Sequence, residues 1–296
     1  MCYDLNEIVL RAQNREKWCV MDRELINQSI DYILRHFDEG ITAKEVAEHF
    51  HFSEFYFCRS FKEATGESVY EFIKRLKMDQ SAVDLKLVKN RPITDIGLDY
   101  GYSSSNYSSA FKKHHNVSPV EFRKSTNVTG MANPFYPEGL SGFDTFDGYA
   151  GKISQLELQD VTVIYERVIG NYIDLKEKWP QFLDKYSGYI KEDTRFIERF
   201  YDDPAIASLD SCIYDICMTA DEACKLDNLT TIKGGRFAVY RYEGRIQDIF
   251  CSVQGVFSVW LPESGYIKDE RYGLNIYPQI DPNSEYVTMD LCIPVK

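Results

Sequence analysis

The feature that most constrains this chain is a duplication. The stretch ITAKEVAEHFHFSEFYFCRSFK, residues 41–62, recurs fifty positions on: Ala47 meets Gly97, Phe52 meets Tyr102, Ser53 meets Ser103, Phe57 meets Tyr107, Phe61 meets Phe111 and Lys62 meets Lys112. The same offset brings Ser68 to Ser118, Glu71 to Glu121 and Phe72 to Phe122, so a unit of about fifty residues is repeated, not a lone motif. Within the first copy Thr42 and Glu45 spell a capping box that opens a helix through Phe50, and Ser53 opens another. Val46, Ala47 and Phe50 on the first, with Phe57 and Phe61 one turn apart on the second, give each helix one apolar face, so the two pack on each other. Ala47 is small where the helices cross. The turn between them falls at His51 and, in the second copy, at Gly101; glycine takes a positive φ there without steric cost, and His51 is the departure.

A helix pair of this kind presents its second helix outward, and in a helix-turn-helix that helix enters the DNA major groove. The outward positions are Ser53, Glu54, Phe55, Cys58, Arg59 and Lys62 in the first copy. In the second they are Ser103, Ser104, Ser105, Ser108, Ser109 and Lys112. Arg59 suits a bidentate pair with guanine and Phe55 a thymine methyl, while Lys62, Lys112 and Lys113 lie where phosphate passes. Short serine hydroxyls bond either donors or acceptors, so the second copy is expected to position the protein and read sequence weakly.

These motifs, the joining helix around Tyr70 to Leu87, the segment ITDIGLDYGY followed by AFKK, and the ending SPVEFRK resemble the DNA-binding domain of the AraC/XylS family of bacterial transcription regulators. The resemblance covers residues 22–125 and implies an all-α domain with two helix-turn-helix motifs that binds double-stranded DNA. Gly97 stands where that family usually has alanine.

At 296 residues the chain is expected to form about two domains. No apolar run approaches eighteen residues and the N-terminus has neither signal nor transit form, so a cytoplasmic chain without a membrane contact is expected. Eight cysteines show no CxxC and no histidine at ligand spacing, which points to reduced structural thiols, no metal and no cofactor. The net charge of −12 looks adverse for a DNA binder until it is divided. Residues 20–125 carry 15 Lys and Arg against 16 Asp and Glu, whereas residues 150–296 carry 16 against 24. The basic side chains of the first half gather on the second helix of each motif and at its end, and a local basic face suffices for phosphate contact.

Taken in order, residues 1–21 form an uninformative extension, and a support helix with Leu25, Ile26, Ile30, Ile33 and Leu34 inward runs from Asp22 to a stop at Gly40. An amphipathic helix between the motifs stops at Asn90 and Pro92 and sets their separation, so that both would meet grooves on one DNA face without a dimer. Residues 126–154 are a linker whose Phe135, Tyr136, Phe143 and Phe146 suggest partial packing. Residues 155–296 carry a second repeat, offset by about 75, that pairs Tyr165 with Tyr240 and Asp215-Ile216-Cys217 with Asp290-Leu291-Cys292. Each copy reads strand, helix, strand, strand, with Trp179-Pro180 and Trp260-Leu261-Pro262 at corresponding helix ends. Two such units predict an antiparallel α+β domain with a cleft along its pseudo-twofold axis.

This half resembles the GyrI-like effector-binding domains, with YDDP and the terminal DLCIPV as the telling pieces. The resemblance implies a small-molecule pocket with a glutamate where this chain has Asn275, leaving Glu198 in the equivalent strand as the charged candidate. Trp179, Tyr240, Trp260 and Tyr277 are the aromatic candidates, although aromatics at such spacing are more often core. The reading is a regulator, not an enzyme, that binds DNA and a small hydrophobic, neutral or weakly cationic effector, with RNA polymerase as a further partner. A hydrolase-like cleft and a protein-interaction module are the alternatives.

Overall fold

The computed structural model of the chain describes residues 21–125, 142–221, 223–269, 271–281 and 283–296. Phe135 and Tyr136 of the expected linker, and the extension before Met21, lie outside the described residues. By packing, the chain falls into two units, Met1–Lys74 and Arg75–Lys296, and the division runs through one long helix, α4 (Val69–Leu87).

The first unit holds α1 (Arg23–His36), α2 (Ala43–His49), α3 (Glu54–Thr65) and the start of α4. Its helix starts are fixed by side chains. Thr42 and Glu45 form the expected capping box, and Ser53 Oγ accepts from the Tyr56 N–H at 3.4 Å. The helix α3 ends on Gly66 at φ 82°, and Ser68 with Glu71 makes a second box that opens α4. His51 does take the left-handed turn, at φ 61°. Ile26, Ile30, Ile33, Val46, Ala47, Phe57, Phe61 and Phe72 are buried, with the Phe61 and Phe72 rings edge to face at 5.2 Å.

The second unit opens with the rest of α4 and the second motif: α5 (Ile93–Asp99), α6 (Ser104–His115) and α7 (Pro119–Ser125). The repeat reaches down to the helix ends. Asn116 closes α6 at φ 62° where Gly66 closes α3, and Ser118 with Glu121 caps the next helix as Ser68 does with Glu71. The glycine at 97 has a steric cause, since a Cβ there would lie 2.7 Å from Tyr107 Cγ. Gly97→Ala should therefore cost about 1–3 kcal/mol in chemical denaturation, as overpacked sites do. Adding Tyr107→Phe should not recover it, because the close atoms, Cβ, Cγ and Cδ1, are common to both side chains.

Beyond residue 142 come α8 (Phe146–Ala150), β1 (Ile153–Leu158), β2 (Val161–Gly170), α9 (Leu175–Lys185), β3 (Phe196–Phe200), β4 (Cys212–Thr219), β5 (Leu229–Ile232), β6 (Gly235–Arg245), α10 (Ile249–Gly255), β7 (Gly273–Tyr277) and β8 (Tyr286–Pro294). The strands form one antiparallel sheet in the order β1-β6-β8-β7-β3-β4-β2-β5. The two copies, β6-β8-β7 and β3-β4-β2, meet at the central β3–β7 pair, where Glu198 lies opposite Asn275. The strands β1 and β5 were not legible in the repeat; α8 and the start of β1 fall within the stretch read as linker, and Phe143 and Phe146 pack on the core as expected of them.

Two details differ from the expectation. Tyr165 and Tyr240 are not equivalent, because Tyr165 joins the cluster with Val239 on one face of the sheet and Tyr240 joins the cluster with Ile164 on the other. A one-residue slip in a strand reverses its face, and a repeat with unequal loops hides such a slip. Pro180 does not end its helix either: it sits inside α9, which runs on to Lys185, while Trp260 does fall at a helix end, closing a wide turn over Val256–Trp260.

Candidate DNA-reading surface and effector site

The outward face of α3 is available for reading. Phe55 is 81% exposed, a position that no packing argument accounts for. Ser53, Arg59 and Lys62 are exposed beside it, and Cys58 is half-buried with its thiol pushed up by burial. Arg59 Nε donates to Glu63 Oε1 at 2.8 Å along the helix, with both side chains more than half exposed, so the pair is solvated and weak. On α6, Ser104, Ser105, Ser108, Ser109, Lys112 and Lys113 are all exposed. Ser109 Oγ donates back to the Ser105 carbonyl at 3.1 Å, and Tyr107 and Phe111 occupy the buried face. The alternation of exposed and buried positions matches the outward lists derived from the sequence.

On the helix-facing side of the sheet a carboxylate is buried among aromatic rings. Glu198 is 4% exposed; its Oε2 accepts from the Tyr277 hydroxyl at 3.1 Å and from Asn275 Nδ2 at 3.4 Å. Burial raises its carboxyl to about 7 against those two hydrogen bonds, so near neutral pH both protonation states are populated. Trp179 meets Tyr277 edge-on at 6.1 Å and Phe196 at 6.3 Å. Tyr172 stacks on Tyr214 at 4.5 Å, and burial together with the nearby Glu198 charge raises both hydroxyls. Among the described residues the buried Asn275 Oδ1 and Tyr172 hydroxyl have no hydrogen-bond partner, which is costly unless something completes them.

Four of the six expected effector residues, Trp179, Glu198, Asn275 and Tyr277, thus come together. The other two pack elsewhere in the same core: Tyr240 lies against Tyr149 at 5.9 Å and Trp260 against Tyr266 at 5.7 Å. Sequence reasoning missed Phe196, Tyr172 and Tyr214. Phe196 was within reach, since it stands two positions before Glu198 on a strand and so shares its face. Tyr172, in the turn before α9, gave no such signal.

The opposite face carries a closed ionic cluster instead. Arg167 Nε and Nη2 grip Asp215 at 2.8 and 3.0 Å, and Arg199 Nε reaches the same carboxylate at 2.6 Å. Burial alone would raise the Asp215 carboxyl, but the two guanidinium groups hold it below its usual range. A further buried tie starts on α4, where Lys86 Nζ donates to Asp203 Oδ2 at 2.9 Å and to Gln254 Oε1 at 2.5 Å, while Gln254 Nε2 donates to Asp203 Oδ1 at 2.8 Å.

A helical domain with outward recognition helices, followed by a sheet domain with a buried polar and aromatic site, defines a DNA-binding protein that carries a small-molecule domain. Comparison with known proteins agrees: residues 46–125 match a helix-turn-helix domain, and residues 151–296 match the GyrI-like small molecule binding domain. The chain is 24% identical over 249 residues to the transcriptional regulator Rob of Salmonella typhimurium, covering 78% of this chain and 83% of that protein. It is 24% identical over 246 residues to the right origin-binding protein of Escherichia coli, with the same coverage. Among solved structures it is similar to the C-terminal domain of AraT, a response regulator from Geobacillus stearothermophilus, at 30% identity over 34% of this chain and 84% of that one, with a TM-score of 0.32. The chain joins an AraC-type helix-turn-helix domain to a GyrI-like domain and is a transcriptional regulator. Among the described residues no helix is long and apolar enough to cross a membrane.

Proposed function

We propose that the chain is a sequence-specific regulator whose residues 155–296 sense a small hydrophobic molecule at Glu198 and thereby change the DNA binding of residues 22–125. The observation that carries this reading is the buried Glu198 carboxyl, flanked by the uncompleted Asn275 Oδ1 and Tyr172 hydroxyl within walls of Trp179, Phe196 and Tyr277. Aromatic walls supply burial, and a few polar atoms fix orientation. With the carboxyl near 7, the ionised site suits a weakly cationic ligand and the protonated site a neutral one, which supports an effector of either kind. The site binds rather than turns over its ligand, with RNA polymerase as the second partner of the DNA-bound form. All five histidines lie between residues 36 and 115, so none stands in this domain as a general base.

The test is to titrate a matched hydrophobic cation and its neutral isostere against the wild type and Glu198→Gln. Above pH 7 the wild type should favour the cation and the variant should not; equal ratios in the two proteins would remove Glu198 from the ligand. Product accumulating from either compound would instead favour the enzymatic reading.

On DNA, Arg59 reads a base and Lys112 holds phosphate. Arg59→Ala should lose about 1–3 kcal/mol at one base pair and relax preference there. Lys112→Ala should weaken all sequences alike and flatten the salt slope by about one. Quantitative binding to an operator and to random duplex distinguishes them, and a uniform loss for Arg59→Ala would refute its assignment.

A further inference from the structure

Where the last turn of α6 meets α4, Asp79, His114 and His115 converge. Asp79 is 2% exposed, and its Oδ1 lies 2.8 Å from His114 Nε2 and 3.9 Å from His115 Nε2. These three ligand atoms lie within 4.8 Å of one another, and His115 Nε2 is also 3.3 Å from the Met78 carbonyl oxygen. One carboxylate oxygen with two imidazole nitrogens is a donor set that suits zinc-class divalent cations.

Two further observations set the cluster apart from an ordinary helix tie. The first is internal to the repeat: fifty positions earlier the same helix end carries Ala64 and Thr65, and Thr65 closes it with its own hydroxyl on the Phe61 carbonyl at 2.8 Å. Closing a recognition helix on this fold therefore needs no imidazole, and the second copy brings two. The second is charge. Asp79 Oδ2 is buried without a hydrogen-bond partner among the described residues, 3.8 Å from Arg75 Nη1. Asp202, also buried and with an unpartnered Oδ1, lies within electrostatic reach of the same Asp79 and Arg75. Asp203 next to it is taken up by Lys86. Two buried carboxyl groups thus face one guanidinium, and each keeps one oxygen without a hydrogen-bond partner among the described residues.

We infer that Asp79, His114 and His115 bind a divalent transition cation of the zinc class, through one carboxylate oxygen and two imidazole nitrogens, with the remaining position open to water. At bond lengths of about 2.0–2.2 Å a tetrahedral cation holds its ligand atoms about 3.3–3.6 Å apart, so the Asp79–His114 pair, now at 2.8 Å, parts a little and the Asp79–His115 pair, at 3.9 Å, closes a little. His114, with 29% of its side chain exposed, gives the ion its way in. Bound there, the cation fastens the end of α6 to α4 and fixes the angle at which the second recognition helix leaves its support.

The test uses the full chain after treatment with a chelator. Zinc is titrated by calorimetry and cobalt by visible absorption, in the wild type, in the double variant His114→Gln/His115→Gln and in His36→Gln, which alters a histidine outside the cluster. Glutamine keeps a hydrogen-bonding side chain at each position, so the double variant should fold. The wild type and His36→Gln should each bind one equivalent with nitrogen and oxygen ligation and gain thermal stability from zinc. The double variant should bind at least about tenfold more weakly and gain none. No binding by the wild type, the same isotherm in all three proteins, or a thiolate-to-cobalt charge-transfer band would overturn the site.

Discussion

Lys86→Met should cost the chain about 3 kcal/mol or more in chemical denaturation, because removing one partner of a buried pair strands the other. Lys86 is 2% exposed, and its ammonium is held by Asp203 and Gln254 in a closed ring of three hydrogen bonds. Methionine fills much of the volume but offers no donor. Among the described residues Asp203 would keep only Gln254 Nε2 and the Ala205 N–H at 2.9 Å, both neutral. Lys86→Met/Asp203→Asn should recover most of the loss, since no charge is then left uncompensated. If the double variant is as unstable as the sum of its parts, the loss is one of packing and not of charge. Lys86 lies on the helix between the two motifs, and Gln254 lies on α10 of the sheet domain.

Glu198→Gln should act in the opposite direction and only in part of the pH range. Burial raises the folded-state carboxyl from 4.5 to about 7. Between those values the folded chain holds a proton that the unfolded chain has released, so stability falls as pH rises through that window and is level above it. Glutamine removes this loss while keeping an oxygen for Tyr277. The variant should therefore be more stable than the wild type by about 3 kcal/mol above pH 7 and nearly equal to it near pH 4. Asp202, also raised to about 7 by burial, retains its own share of the slope, so the variant's curve should flatten without becoming level. Denaturant midpoints collected across that range give the answer, and an unchanged slope would mean that Glu198 is solvated in the folded chain.

These two residues mark how far the sequence could be read. The helical half was legible in its main features, because a capping box, a positive-φ turn and an apolar i, i+4 pair are local patterns, and the repeat supplied the last two of them twice. Thr42 with Glu45, His51 with Gly101, and Phe57 with Phe61 all do what their spacing implies. Asn275 was singled out by the resemblance to GyrI-like domains and Glu198 by the equivalence of the two copies, while the pairing of their strands at the centre of the sheet came only with the structure. Lys86 was not legible. On an amphipathic helix a lysine reads as solvated, and the carboxylate that explains its burial lies 117 residues away. Nor were Arg167 and Arg199 legible, whose shared partner Asp215 sits on the strand between theirs, nor β1 and β5, which lie outside the duplicated pattern at the two edges of the sheet.

If occupancy at Glu198 alters DNA binding, a single titration should reveal it. The affinity of the full chain for an operator selected from random duplex is measured above pH 7 while a hydrophobic quaternary ammonium cation is added, in the wild type and in Glu198→Gln. Operator affinity should shift in the wild type over the concentrations at which the cation binds, and should stay fixed in the variant. If the cation saturates the wild type while operator affinity does not move, or moves it equally in both proteins, Glu198 is not the sensor of this regulator.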